Sequence, residues 1–226
     1  MKIRLITTIL IFIVTLSVSA QRSEVGGFGG LALYNGDINP LNELKLSQSK
    51  LAYGFFYRYN FDSRLAIKLS YTRGTITGND GVSGFIPTRE NSFNTNLSEL
   101  SAQFEVNFFD FGIDGEKDRF TPYIFGGIGS TNFQVTQLTT NGTSITTIPS
   151  DLKSQFVSFP LGVGVKFCPV TNMTLGIEWG IRKTTSNKLD GIDTDPYRSS
   201  ADNDWYSFTG FSISYRLNFF NSQRCY

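Results

Sequence analysis

Eight segments of this chain alternate apolar with small or polar residues at a period of two, and no segment after the first twenty residues has the long uninterrupted apolar run of a membrane-crossing helix. Thr174 to Thr184 is the clearest case: Leu175, Ile177, Trp179 and Ile181 alternate with Gly176, Glu178, Gly180 and Arg182. On a helix, Glu178 and Arg182 would be i, i+4 neighbours, but the apolar residues would spread around the cylinder. Two interior glycines would also cost roughly 1 kcal/mol each relative to alanine. Alternation fits a strand, because successive side chains point to opposite faces.

The same reading gives strands at about 24–34, 50–60, 64–73, 98–108, 121–134, 155–167, 173–184 and 204–219. One face of the second carries Tyr53, Phe55, Tyr57 and Tyr59, and the other Ala52, Gly54, Arg58 and Asn60. In the fourth, Leu100, Ala102, Phe104, Val106 and Phe108 oppose Ser101, Gln103, Glu105 and Asn107. In the sixth, Val157, Phe159, Leu161, Val163, Val165 and Phe167 oppose Ser158, Pro160, Gly162, Gly164 and Lys166. The first and fifth are glycine-rich and their facing is ambiguous.

A soluble sandwich, or a soluble eight-stranded barrel with its apolar faces inward, should carry broadly charged outer faces. Here the second faces are mostly Gly, Ala, Ser and Thr, with one or two charges each, which suits the cramped interior of a narrow barrel. The expected fold is therefore all-β, an eight-stranded antiparallel transmembrane barrel. Its interior charges, Arg58, Lys68, Glu105, Lys166, Glu178, Arg182 and Arg216, must be paired if enclosed. Glu178 and Arg182 are expected to find partners on neighbouring strands, Glu105 among them. Val157 to Phe167 makes ten steps, about 33 Å of strand at roughly 3.3 Å per residue. Tilted by about 40°, that covers roughly 25 Å, the height of an outer-membrane apolar band.

The connections alternate in length. Segments 61–63, 109–120 and 168–172 are short or moderate, whereas 35–49, 74–97, 135–154 and 185–203 are longer and polar. Short periplasmic turns with long outer loops make that pattern, which puts both termini in the periplasm. Tyr59, Phe61, Phe108, Phe109, Tyr123, Phe167, Phe219 and Phe220 then form an interfacial girdle at the periplasmic rim. Residues 1–20 read as a secretory signal peptide: Lys2 and Arg4 precede the apolar run Leu5–Leu16, with Val18 and Ala20 before a cleavage site. Residues 21–226 then form one barrel domain. Removing Lys2 and Arg4 from 20 basic residues leaves 18 against 19 acids, a balance that gives no sign of nucleic-acid binding.

The chain contains no histidine, so neither a Ser-His-Asp triad nor a His-based zinc site can be built, and the expectation is a non-enzyme without cofactor. "GGFGG" and "GGIG" do not complete GxGxxG and open no helix, so they read as barrel glycines. Asp190, Asp193, Asp195, Asp202 and Asp204 lack calcium-loop spacing and read as a solvated acidic loop. Cys168 and Cys225 both fall on the periplasmic side, an oxidising compartment. Their strands lie about 10 Å apart at the rim, so a Cys168–Cys225 bond requires the tail after Phe219 to fold back. Free thiols and a bond to a partner are the alternatives.

"EVGGFGGLALYNGDINP", "TPYIFGGIG", "GVGVKF", "LGIEWGIRKT…LDGID" and "DWYSFTGFSISYR" resemble, in order and spacing, the PorG family of outer-membrane barrels of the type IX secretion system. The resemblance spans nearly the whole chain after the signal peptide. It implies a barrel that anchors or helps assemble a periplasmic ring made of a lipoprotein and a partner subunit. An eight-stranded barrel has an interior just filled by side chains, so folded cargo cannot pass through it. The contact surface would be the periplasmic turns and tail, including Asp114, Glu116, Lys117, Asp118, Arg119 and Arg224. A small-solute or hydrophobic-ligand channel and a structural or adhesin barrel are the alternatives.

Overall fold

The computed structural model describes residues 23–35, 49–79, 92–112, 118–140, 143–144, 153–185 and 205–217. The strands are β1 (Ser23–Asn35), β2 (Lys50–Asn60), β3 (Leu65–Asn79), β4 (Ser92–Asn107), β5 (Phe120–Thr140), β6 (Thr143–Ser144), β7 (Lys153–Val170), β8 (Met173–Thr184) and β9 (Trp205–Arg216). The two-residue β6 only folds back on the end of β5. The other eight pair antiparallel in the order β4-β3-β2-β1-β9-β8-β7-β5, and β4 pairs with β5 to close the ring. Closure leaves no open sheet edge, the condition for strands to cross a bilayer. The described residues contain no helix.

The turns join neighbours tightly. Between β2 and β3, the Asp62 carboxylate accepts from the backbone N–H groups of Arg64 and Leu65. Between β7 and β8, Asn172 takes φ 71°, a left-handed conformation that asparagine tolerates better than most residues. The rim carrying these turns also carries Ser23 and Leu217, the ends of the ring, and is called here the terminal rim; the other is the distal rim.

The outer wall bears a broad apolar band. Leu51, Phe55, Leu69, Leu100, Ile128, Leu161, Ile177, Trp179, Phe211 and Ile213 all stand exposed on it. Of the expected girdle, Phe61, Phe108, Phe109 and Phe167 are exposed near the terminal rim. Tyr123 is not part of it: the side chain points inward and is 1 % exposed. Phe219 and Phe220 lie outside the described residues.

Four strands are longer than expected. β3 runs to Asn79, β4 starts at Ser92, β5 reaches Thr140 and β7 starts at Lys153, so much of 74–97 and part of 135–154 is strand, not loop. The reason is an inversion of phase. Low on β4, Leu100 and Phe104 face outward; higher up, Phe93 and Leu97 face inward and are buried, while Asn94, Asn96 and Ser98 face outward. Thr75 Oγ1 donates to Asn96 Oδ1 across the outer face at 2.8 Å. A bulge opposite Asn94/Thr95 gives β5 an extra residue there, and Thr136 Oγ1 donates to the Asn94 carbonyl. Above the apolar band the alternation persists, but the apolar residues line the interior.

Candidate functional site

The inward side chains meet across the lumen and divide it into two halves. The half nearer the terminal rim is charged. Glu105, fully buried, receives Lys166 Nζ at 2.6 Å and Arg58 Nε at 2.9 Å, with Lys68 Nζ at 3.5 Å. Arg58 also donates to Glu24 at 3.1 Å, and Glu24 further accepts from Asn60 and from Ser214. Lys68 reaches Glu178 at 2.8 Å, and the Tyr123 hydroxyl donates to the same carboxylate oxygen. Lys166 donates in addition to Asn107. Glu24, Arg58, Lys68, Glu105, Tyr123, Lys166, Glu178 and Ser214 sit on β1, β2, β3, β4, β5, β7, β8 and β9 in turn. Every strand of the ring thus contributes to one connected network.

Deeper in, Glu99 accepts from Tyr206 at 2.5 Å and faces Arg182 Nε at 3.7 Å. Tyr206 also contacts Thr131, which donates to Ser158. Among the described residues, four cations (Arg58, Lys68, Lys166, Arg182) therefore meet four carboxylates (Glu24, Glu99, Glu105, Glu178), and their charges balance. Aromatic faces cover what the carboxylates do not. Phe56 lies under both Arg58 and Lys68, and Phe208 under Arg182 at 4.6 Å.

Two of these contacts cross the full diameter. β3 and β8 are four strands apart in a ring of eight, yet Lys68 touches Glu178; β4 and β9 are likewise opposite, yet Tyr206 touches Glu99. The half nearer the distal rim is apolar: Ala32, Tyr34, Ile76, Phe93, Leu97, Phe133, Val135, Phe156 and Phe208 form one buried cluster. Tyr34 on β1 meets Phe93 on β4 edge-on at 4.9 Å.

The glycines facing inward make room for this filling. Gly162 and Gly180 are cross-strand partners, and a Cβ on Gly180 would fall 2.6 Å from the Phe125 ring, which lies over the pair. The two glycines of Thr174–Thr184 therefore face the lumen, as Glu178 and Arg182 do, and Leu175, Ile177 and Trp179 face outward.

Several expected details change. The partners of Glu178 and Arg182 are Lys68 and Glu99, across the lumen, not on adjacent strands and not Glu105. Glu105 and Glu178 share Lys68 instead. Arg216, half-buried at the foot of β9, pairs in register with Glu24 at the edge of the network. Glu24, Glu99, Tyr206 and Phe56 were not among the expected interior residues. Glu24 and Glu99 fall near the ends of the strands expected at 24–34 and 98–108, although Glu99 sits mid-strand in β4, and Phe56 breaks the small-residue pattern of its face. Cys168 is buried and its Sγ lies 3.2 Å from the Val170 carbonyl; Cys225 lies outside the described residues, and with it the Cys168–Cys225 bond. Asp118 and Arg119 are exposed at the terminal rim, whereas Asp114, Glu116, Lys117, Arg224 and the acidic cluster from Asp190 to Asp204 lie outside the described residues. At that rim Arg64 Nε donates to Asp110 at 2.7 Å and Ser63 to the same oxygen, clipping two turns together. The hydrogen bond to Asp110 holds the Arg64 guanidinium above its ordinary pKa.

Chemically, this arrangement binds strands to one another. Among the described residues, each of its four carboxylates is engaged by a cation, a hydroxyl or both. A family model described as "Domain of unknown function (DUF6089)" matches residues 3–226. The chain belongs to the DUF6089 family. No curated protein matches this DUF6089 chain. Among solved structures, it is similar to Neisserial surface protein A, at 11% identity and TM-score 0.54, over 86% of this chain and 96% of that one. It is also similar to Ail, the attachment invasion locus protein of Yersinia pestis (12% identity, TM-score 0.47, 85% and 96%). The N-terminal barrel domain of Pseudomonas aeruginosa OprF follows with 17% identity and TM-score 0.43, over 86% and 98%. At such identities the likeness to Neisserial surface protein A concerns the fold, so the DUF6089 chain has the eight-stranded barrel architecture of that surface protein.

Proposed function

We propose that this protein is a non-enzymatic outer-membrane barrel that anchors or helps assemble the periplasmic ring of a type IX secretion system. In this reading the terminal rim is periplasmic, and the partners are a ring lipoprotein and its companion subunit. The ordered series of PorG-like segments supports it. The observation that carries it is the pair of contacts spanning the lumen, Lys68–Glu178 and Tyr206–Glu99. Side chains that meet across the diameter obstruct the lumen at two levels, and the apolar cluster above them resists wetting. A barrel that does not conduct must act through its surfaces. The periplasmic surface offers a rigid patch, where the Arg64–Asp110 clip joins two turns beside Asp118 and Arg119.

A second reading, a structural or adhesin barrel, has its own support. β3, β4, β5 and β7 rise above the apolar band with polar outer faces, while β2, β8 and β9 are only 11 or 12 residues long. A channel reading requires both cross-lumen contacts to break.

The test is purification of the tagged protein from outer membranes in mild detergent. Co-purification of a periplasmic lipoprotein and its ring partner, lost on changing Asp110, Asp118 and Arg119 together, supports the anchor. A lone, heat-modifiable monomer in several gentle detergents refutes it. Single-channel steps from the purified barrel in planar bilayers would favour the channel.

A further inference from the structure

The outer wall carries a trench of about 700 Å³ where the apolar band is interrupted. One margin is β1 at Gly27 and Gly29, which face outward and carry no side chain, and from there the trench runs across β9 and β8 to β7. Its walls include Phe211 and Ile213 of β9, Leu175 of β8 and Phe167 of β7. These walls belong to the exposed apolar band. Phe167 and Leu175 are register partners just above the β7–β8 turn, so the trench opens toward the terminal rim.

We propose that this trench is a binding site for one acyl chain of a phospholipid in the periplasmic leaflet. The inference goes beyond the anchoring role and takes from that reading only that the terminal rim is periplasmic. Three points select the occupant. The trench is continuous with the lipid-facing band, so what fills it must be stable in hydrocarbon. An extended peptide would carry unsatisfied backbone groups there. A second barrel presents a convex wall that cannot enter a concave trench. A single saturated or mono-unsaturated chain has neither defect. At the rim beside it, Arg119 stands exposed, its carbonyl accepting from the N–H of Cys168, the residue after Phe167.

The glycines make the test clean. A Cβ at Gly29 would meet nothing within 4 Å, and one at Gly27 only the Gly54 carbonyl at 3.8 Å. Gly29→Leu therefore intrudes on the trench from its β1 side without disturbing the sheet. Ala102→Leu, on the outer face of β4 between Leu69 and Ile128, adds the same bulk elsewhere. The full barrel would be reconstituted in vesicles of palmitoyl-oleoyl phosphatidylethanolamine and phosphatidylglycerol, extracted in mild detergent and examined by native mass spectrometry, with heat-modifiability on gels to verify folding. The expected result is one retained phospholipid on the parent and on Ala102→Leu, lost from folded Gly29→Leu. Equal retention by Gly29→Leu overturns the proposal, and so does a parent with no retained phospholipid. The same comparison on barrels from native membranes distinguishes other occupants. A Gly29-dependent lipoprotein adduct or dimer there, in place of a phospholipid, overturns the assignment to phospholipid.

Discussion

The two halves of the lumen are closed by opposite means. Near the terminal rim, Glu105 gathers three cations in a network that touches every strand of the ring. Near the distal rim, Phe93, Leu97, Phe133 and their neighbours close the same cylinder by shape alone. The charged half depends on particular pairings, and the apolar half on volume. They should therefore fail differently: removing one member from the first leaves enclosed charge without a partner, while trimming the second leaves a void that neighbours partly refill.

The largest effect is expected from Glu105→Gln. It takes from Lys166 its carboxylate partner and from Arg58 and Lys68 one of two, and breaking a buried ion pair this way costs about 3–5 kcal/mol. Urea unfolding in lipid vesicles would measure it; a loss no greater than that of a surface substitution would mean the network is not closed as described. In the apolar half, Leu97→Ala should cost about 3 kcal/mol by the same assay, while Leu97→Met should cost less than about 1.5 kcal/mol. If the methionine variant is as damaging as the alanine one, the apolar half is as specific as the charged half and the contrast collapses. Gly180→Ala sits between the halves. Its Cβ would press on the Phe125 ring, and overpacking should cost about 2 kcal/mol, relieved by Phe125→Leu. The smallest effect belongs outside the lumen: Arg64→Ala breaks an exposed clip and should leave the unfolding midpoint unchanged. If the anchoring role holds, the same variant should still weaken capture of the ring partner.

The contrast also explains what could be read from the amino acids. Through the apolar band, small and charged residues face in and apolar ones out, so Leu175 to Arg182 and Leu100 to Asn107 could be oriented by alternation alone. Above the band the interior itself is apolar, and Phe93, Leu97, Phe133 and Val135 carry the opposite phase. Strand residues there, such as Thr75, Asn94 and Asn96, have the composition of loops, so alternation of apolar residues alone does not reveal them as strand. Which charge meets which depended on shear around the ring. Lys68 and Glu178 are 110 residues and four strands apart, a distance no local pattern encodes. Glu24 was hidden by the glycines around it, because Gly26, Gly27, Gly29 and Gly30 give no facing signal.

The network that includes every strand has a consequence for biogenesis. Glu24 takes Arg58 from β2 early in the chain, but Ser214 arrives only with β9, 190 residues later. Until β9 pairs with β1, a nascent ring would hold Glu24 and Glu99 without the hydroxyls of Ser214 and Tyr206, in surroundings that penalise the shortfall. Partly assembled intermediates are thus disfavoured inside the bilayer, and insertion should proceed as a single cooperative event, with the β1–β9 seam as its last and committing step.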